Sequence, residues 1–454
     1  MPNQQTFWLL TAAVFVTLLI PKLVQYGMFL DGVSYAAISR NMSEGVGCFS
    51  EPQYTQTLYR VCHEQPPLVF WLQSNFFRLF GDHFWVERLY TFCMAVLSAF
   101  TIVLNWKLWQ KENTAWLPIV IWILTPIVFW SYQNNMLECT MTVFAMLACY
   151  FACRSVLENR LIWLLPAAVF TVAGVLSKGP VGFFPLIAPL AAGLIVPRGN
   201  LIRKIMAPTI MFCLTALLFI GFIYLVPGMQ AYLENYLNTR LLPTLSGQRD
   251  TVVGNRFQFL LDLVGQIALP LIAMLGFILL KGRSALKFNS AAFVYLTIGM
   301  AGTLPLLFSP KQSSHYLVPA LPMFALGFAS LLWGQLGDWK FTRSRSGKSL
   351  NLSRLALFAS LLVSFSFWGQ YSRHELLIKD VSAITASVPS GSILGTTPSL
   401  ASDWVLVAYL IRMSHISLEN SLQNEYYLCK NSDQSPTTNH TLVIKTTDLS
   451  LWKH

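Results

Sequence analysis

The sequence predicts an all-α polytopic membrane protein with about eleven spans and a small external α/β domain at its C-terminal end. Three observations predict it. Of the 454 residues, 54% are hydrophobic and only 11% are charged, whereas a soluble domain usually carries about 25% charged residues. Apolar runs of membrane-spanning length recur along most of the chain. The basic clusters between those runs all sort to one side of the membrane once the runs are threaded through it.

The runs fall at 7–27, 84–106, 115–131, 138–155, 161–177, 181–196, 206–226, 257–280, 289–308, 316–335 and 354–370. Each approaches the roughly 20 residues that a bilayer crossing needs, and the shorter ones would be tilted or covered by neighbours. The first is read as a retained helix, because no basic stretch precedes it and no small-residue cleavage site follows. With the N-terminus in the cytoplasm, the inner loops hold Lys107 and Lys111, Arg154 and Arg160, Arg198, Arg203 and Lys204, Lys281, Arg283 and Lys287, and Lys340, Arg343, Arg345 and Lys348. This distribution accounts for the net charge of +11. Cations scattered between apolar runs do not make the single basic face that nucleic acid requires.

Outside lie a long first loop (28–83), a medium loop (227–256), short turns and the tail. Residues 1–370 are therefore read as one membrane domain and 371–454 as a second, small one. In the tail, Glu375–Val388 and Asp403–Met413 have helical spacing, while Ser392–Thr396, Glu425–Leu428 and Thr441–Lys445 read as strands. The eight cysteines form no CxxC pair. Cys93, Cys139, Cys149, Cys153 and Cys213 fall in or beside apolar runs and are expected to be buried. Cys48 and Cys62 share the first loop, where an oxidising compartment would permit a disulfide.

Ionisable residues at membrane helices are costly and tend to mark function. Here they gather on the predicted outer side: Asp31 after the first helix, His63 and Glu64 late in the first loop, Glu138 opening the fourth helix, Lys178 in the turn between the fifth and sixth, Arg240 and Arg256 in the medium loop, and Lys311 and Tyr316 before the tenth. Acids and cations on one face suit the transfer of a group from a phosphate. Cations stabilise the negative charge that grows on the leaving phosphate, and a carboxylate takes the proton of an incoming hydroxyl.

Several segments carry a family resemblance. Phe29-Leu-Asp31-Gly-Val-Ser-Tyr35 is similar to the acidic first-loop motif of the GT-C glycosyltransferases, in the branch of the lipid A aminoarabinose transferases and protein O-mannosyltransferases. His63-Glu-Gln-Pro-Pro-Leu-Val-Phe-Trp71 resembles the E-K-P-P-L-x-x-W motif of that branch. Arg88 resembles an arginine at the start of its second helix, and Met136-Leu-Glu138 its second acidic motif. Gly174-Val-Leu-Ser-Lys178-Gly-Pro-Val-Gly182 resembles its A-K-G-P-x-G turn, and Lys311-Gln-Ser-Ser-His-Tyr316-Leu-Val-Pro-Ala-Leu-Pro322 its K-x-x-x-Y-x-x-P-x-x-P segment. The matches run in family order over roughly residues 25–335.

The resemblance implies transfer of a sugar from a polyprenyl-phosphate donor, with inversion, to a hydroxyl or phosphate of a glycolipid or protein acceptor. Asp31 and Glu138 would be the catalytic carboxylates, and Lys178, Arg240, Tyr316, Lys311 and Gln65 would hold the donor phosphate. Tyr35, His63 and Arg256 would line the cavity, and Glu64 would bind a divalent metal (zinc, magnesium or manganese) or orient the site. The protein would act as a monomer in a bacterial inner membrane, among membrane lipids, with its active site facing the periplasm and with no nucleic-acid partner.

Three departures bear on this. Gly32 stands where the family often has a second acid, Gln65 where it often has a lysine, and Glu138 where it usually has an aspartate. Two other functions fit a polytopic chain of this composition: a transporter of lipid-linked sugar, and a non-catalytic membrane scaffold. Neither predicts polar groups concentrated at one membrane face, since transporters place their site near the midplane.

Overall fold

The computed structural model describes residues 4–454 except 111–112, 196–200, 248–255, 282–288, 310, 337–345 and 434–439. The chain divides into two compact units. The first comprises Met1–Leu23 and Thr91–Phe367; the second comprises Val24–Tyr90 and Trp368–His454. The first unit closes at Phe367, and the first loop groups with the tail rather than with the membrane helices.

The first unit is helical throughout, and its composition and helices make the chain a multi-pass membrane protein. Among the described residues, six helices are long and apolar enough to cross a membrane, or up to eight if each of two bent pairs counts as one span. The count of eleven therefore resolves into unlike pieces. The expected spans at 181–196 and 316–335 appear as the shorter apolar helices Pro180–Ile195 and Leu321–Trp333. The last falls in Ser346–Phe365, which carries Lys348 and Arg354 and is not among the six.

The two bent pairs are Trp116–Ile123 with Pro126–Gln133, at 76°, and Phe257–Gln266 with Ala268–Leu280, at 67°. Proline explains the first. It forces the preceding residue out of the helical region, and Thr125 is accordingly extended (φ −69°, ψ 120°) just before Pro126. Pro270 stands in the first turn of Ala268–Lys281, where proline is tolerated at a helix start.

The centre of the unit is the pairing of Leu137–Leu157 with Leu164–Lys178. Ala145, Ala148, Cys149, Ala152 and Cys153 on the first helix, and Ala167 and Ala168 on the second, are buried. Small side chains let membrane helices approach closely, and dispersion between close backbones then replaces the hydrophobic drive that lipid cannot supply. By contrast, Leu201–Leu225 presents Phe212, Leu217, Ile220 and Leu225 outward, as suits contact with lipid. Cys213 is exposed on that same helix, so its expected burial does not hold.

The second unit is a mixed α/β body. Its N-terminal part carries the helix Leu30–Ser43, a hairpin of β1 (Gly47–Cys48) and β2 (Glu51–Pro52), and the helix Leu68–Phe80. Both Cys48 and Cys62 are free thiols. The tail adds β3 (Ile393–Thr396), β4 (Ser417–Glu419), β5 (Tyr426–Lys430), β6 (Thr441–Lys445) and β7 (Leu449–Lys453) in one sheet of order β4-β3-β5-β7-β6. Strand β3 runs parallel to β4 and β5, and β7 is antiparallel to β5 and β6. The helices Glu375–Ser387 and Trp404–Ser414 bury Ile378, Val381 and Ile384, and Leu406, Val407 and Leu410; Leu394, Leu428 and Leu451 of the sheet are fully buried. Asp403 caps the second helix by accepting from the Val405 and Leu406 amides.

The first-loop part and the tail are joined within this unit by hydrogen bonds and charge. The Tyr26 amide donates to the Gln370 carbonyl at 2.7 Å, and the Ser372 amide returns to the Tyr26 carbonyl at 2.8 Å. Gly27, at φ +84°, permits that approach: a Cβ there would lie 2.2 Å from the Arg373 carbonyl oxygen. Arg412 pairs with Asp82 at 2.6 Å and Glu87 at 2.9 Å, and Arg40 pairs with the same Asp82 at 3.3 Å. Burial works against the Arg412 charge, but Glu87 and Asp82 more than offset it and raise its pKa.

Candidate functional site

The polar residues singled out in the sequence fall into one group in each unit. In the first unit, Glu138 opens the helix Leu137–Leu157 and Lys178 closes the helix Leu164–Lys178. A helix N-terminus favours an anion and a C-terminus a cation, so both charges sit where their own helices stabilise them. Lys178 is held by the turn that follows it. Gly179 adopts φ +97°, Pro180 starts the next helix, and Gly182 packs on the backbone of Gly174 and Val175. The glycines and proline of that motif are thereby explained as backbone devices that aim one lysine.

The Lys178 ammonium is 3.0 Å from the Glu138 carboxylate, and their side chains are 9% and 1% exposed. Among the described residues no hydrogen-bond donor is aligned with either Glu138 oxygen, so the short contact with Lys178 is ionic. Lys178 also lies over the Tyr316 ring at 5.6 Å. Tyr236 lies against the same group: burial raises the pKa of its phenol, while Lys178 and Arg240 pull it down. Arg240 follows one turn later, on a π-helical segment Leu237–Leu241, a local widening that often accompanies functional sites. His315 Nε2 stands 3.8 Å from Glu138. Its ring stacks on Trp130 and meets the Tyr316 ring edge-on at 4.7 Å.

Three expected residues are thus together in this unit, Glu138, Lys178 and Tyr316, and Arg240 is linked to them through Tyr236, whose phenol feels both cations. Lys311 begins the same turn, with its carbonyl accepting from Ser309 Oγ at 2.9 Å. The Arg256 side chain lies outside the described residues. His315, Trp130 and Tyr236 were not singled out in the sequence. His315 is next to Tyr316, and Tyr236 is one turn before Arg240, so neighbourhood to a cation or motif tyrosine was the available signal.

In the second unit, Asp31 sits in the first turn of Leu30–Ser43, where the helix favours its charge. The Tyr35 hydroxyl, one turn on, donates to Asp31 Oδ2 at 3.5 Å, and Tyr35 packs on Phe70. Ser34 Oγ and Tyr54 Oη are hydrogen-bonded at 3.1 Å, and burial raises the Tyr54 pKa. His63, Glu64 and Gln65 form the stretch before Leu68–Phe80; Glu64 is exposed. Burial lowers the His63 pKa, against a smaller upward pull from Glu51.

The described residues do not make a convincing divalent-metal site. Their only group of three close potential ligands is Glu44, Asp82 and His415, and Glu64 is not in it. That group already serves cations: Arg40 and Arg412 both pair with Asp82. A metal there would compete with two guanidinium groups, one of them almost wholly buried.

Comparison with solved structures fixes the architecture. ArnT from Cupriavidus metallidurans in the apo state superposes with a TM-score of 0.68, covering 98% of this chain and 97% of that one at 14% identity. The chain has the ArnT fold. The same ArnT bound to undecaprenyl phosphate superposes equally well, at 0.67 and 15% identity. An Archaeoglobus fulgidus oligosaccharyltransferase in complex with zinc and sulfate matches at 0.51 and 12% identity, covering 93% of this chain and 68% of that one. In sequence, residues 64–225 match the dolichyl-phosphate-mannose-protein mannosyltransferase family. A Bacillus subtilis (strain 168) protein named "Putative mannosyltransferase YycA" is 24% identical over 197 residues, which is 43% of this chain. The chain spans 29% of that relative's length. The family match contains Glu138, Lys178 and the first-loop residues from Glu64 onward, so it covers the ArnT-like motifs except those around Asp31, Arg240 and Tyr316.

Proposed function

We propose that this chain is a membrane glycosyltransferase that moves a sugar from a polyprenyl-phosphate donor to a hydroxyl or phosphate of an acceptor. The acceptor would be a glycolipid or protein on the periplasmic face of a bacterial inner membrane. The observation that carries this reading is the buried Glu138–Lys178 pair with Arg240 and Tyr316 around it. It lies on a fold whose Cupriavidus relative is known bound to undecaprenyl phosphate.

The roles follow from charge. Lys178 and Arg240 hold the donor phosphate and take up the negative charge that grows as the bond to the sugar breaks. Cations fixed in a dry site stabilise such charge far better than water-exposed ones. Tyr316 packs on the Lys178 ammonium and supplies a hydroxyl. Glu138 is an anion beside a phosphate site, so it acts on the donor through Lys178, whose position it fixes. Asp31 is the carboxylate assigned to the acceptor: it takes the hydroxyl proton as the oxygen attacks the anomeric carbon. One base and direct displacement give inversion.

The test is transfer by the purified full-length protein, supplied with radiolabelled undecaprenyl-phosphate sugars and an envelope acceptor fraction. Label should move from lipid to acceptor with the native protein and not with Asp31→Asn, which keeps the side-chain shape. Equal turnover by that variant would remove Asp31 from the mechanism. Movement of labelled lipid across a bilayer with no glycosidic product would mean transport instead.

A further inference from the structure

Among the described residues of the first unit's polar group, His315 faces the Glu138 carboxylate directly and has no role in the proposed function. Its surroundings are specific. The turn Ser314–Leu317 that carries it is tied to the helix Arg256–Gln266, where Ser314 Oγ donates to Asp262 Oδ2 at 3.1 Å. The other Asp262 oxygen accepts from Gln258 at 3.1 Å. The imidazole stacks on Trp130 of the helix Pro126–Gln133, and the start of that helix is itself held by Gln266, whose Oε1 accepts from the Ile127 amide at 2.9 Å. Both bent spans thus fix one ring. Its Nε2 faces Glu138 from 3.8 Å, too far for a hydrogen bond but well within ionic range.

The charges around the ring are Glu138 from Leu137–Leu157, Lys178 from Leu164–Lys178 and, behind Ser314, Asp262 from Arg256–Gln266. Its ring neighbours are Trp130 and Tyr316. Glu138 offsets Lys178 within their ion pair, so of these cations Arg240 brings the one net positive charge to a phosphate. That matches a phosphodiester donor. It falls one short of the product, because a lipid phosphate monoester carries about −1.5 to −2 near pH 7.

We propose that His315, as the imidazolium, is a third cationic ligand of the donor phosphate and balances the charge that the phosphate gains when the sugar leaves. This rests on the donor reading above. The bond from the anomeric carbon to the phosphate oxygen breaks with its electron pair going to that oxygen. The acceptor's proton goes to Asp31. His315 keeps its own proton and donates it as a hydrogen bond to the phosphate. Imidazole is the side chain that changes charge between about pH 5 and 8, so lipid-phosphate affinity gains a pH-dependent component from this residue beside the phosphate's own ionisation.

The test is binding of undecaprenyl phosphate to the full-length protein in detergent, from about pH 6 to 8. The native protein is compared with His315→Gln and His315→Arg, each first checked for an unchanged melt without ligand. The ligand's own ionisation is common to all three, so the ratio of affinities at each pH isolates His315. A lost charge-assisted hydrogen bond predicts about tenfold weaker binding by His315→Gln at the acid end, with the ratio shrinking as pH rises. His315→Arg should restore affinity and hold it across the range. A ratio that does not change with pH, without rescue by arginine, would mean a packing role and overturn the proposal. Native-like binding by His315→Gln would overturn it too while leaving the donor reading intact. Failure of the native protein to bind undecaprenyl phosphate would bring down the donor reading, and this inference with it.

Discussion

Glu138 and Lys178 meet at 3.0 Å with both heads almost removed from solvent, one at the start of a membrane helix and one at the end of the next. Such a pair is tolerated because each charge answers the other and its own helix terminus. Breaking it is another matter. Among the described residues, Lys178→Met would leave the Glu138 carboxylate with His315 as the cationic group in ionic range. Removing one partner of a buried pair typically costs about 3–5 kcal/mol, whereas replacing both by apolar groups is often neutral. The expected outcome is a large drop in thermal stability for Lys178→Met and recovery of most of it in the double variant Lys178→Met/Glu138→Leu. Lipid-phosphate affinity should stay lost in both. If the single and double variants melt alike, the pair is not what stabilises this junction.

The second unit has a charged junction whose response to pH has a definite sign. His415 follows the helix Trp404–Ser414 and reaches Glu44 at 3.2 Å. A carboxylate at that distance would favour the imidazolium, yet the His415 pKa is lowered to about 4. Burial is the largest cause, and Arg40 and Arg412 add to it against the pull of Asp82. The Glu44 carboxylate does not offset them, because burial raises its own pKa and weakens its hold as an anion. A histidine kept neutral in the fold binds its proton more readily when unfolded. Its contribution is therefore fully present above the ordinary value of 6.5 and is lost as pH falls toward about 4. Stability measured between those limits should decline more steeply for the native protein than for His415→Gln. Parallel slopes would show that folding does not hold His415 neutral in this range.

Much of this was legible in the sequence, for reasons that differ by unit. The tail helices and three strands were readable because period-2 and period-3.6 patterns were clean: Thr441–Lys445 is a strand as expected, and Asp403 does cap the helix that follows. Strands β4 and β7 were missed. Ser417–Glu419 is only three residues long and gains its place from pairing with β3, which no local pattern reports. The membrane segments were found by hydropathy but their count was not, since hydropathy does not see the breaks before Pro126 and at Ile267 that turn continuous runs into bent pairs. Lys178 and Glu138 were visible as charges in apolar surroundings. His315 was not, because a histidine between Ser314 and Tyr316 has no distinguishing pattern; only the stacking of Trp130 from a distant helix makes it notable.

The Gly174–Gly182 turn offers the sharpest steric test of how Lys178 is aimed. A Cβ at Gly182 would fall 2.4 Å from the Val175 nitrogen and 2.5 Å from the Gly174 carbonyl carbon. Both are backbone atoms of the helix that ends in Lys178, so that helix and the turn must separate to admit it. A Cβ at Gly174 would meet the Gly182 carbonyl oxygen at 3.6 Å, an ordinary contact. Both positions face the same junction, and only one is closed to a methyl group. Overpacking of this kind costs about 1–3 kcal/mol, and here the displaced segment carries the ammonium. Gly182→Ala should therefore lower the melting temperature and weaken binding of undecaprenyl phosphate, while Gly174→Ala should bind it as the native protein does. If both variants bind equally, Lys178 does not depend on the close packing of this turn, and the Glu138 ion pair alone is sufficient to hold it.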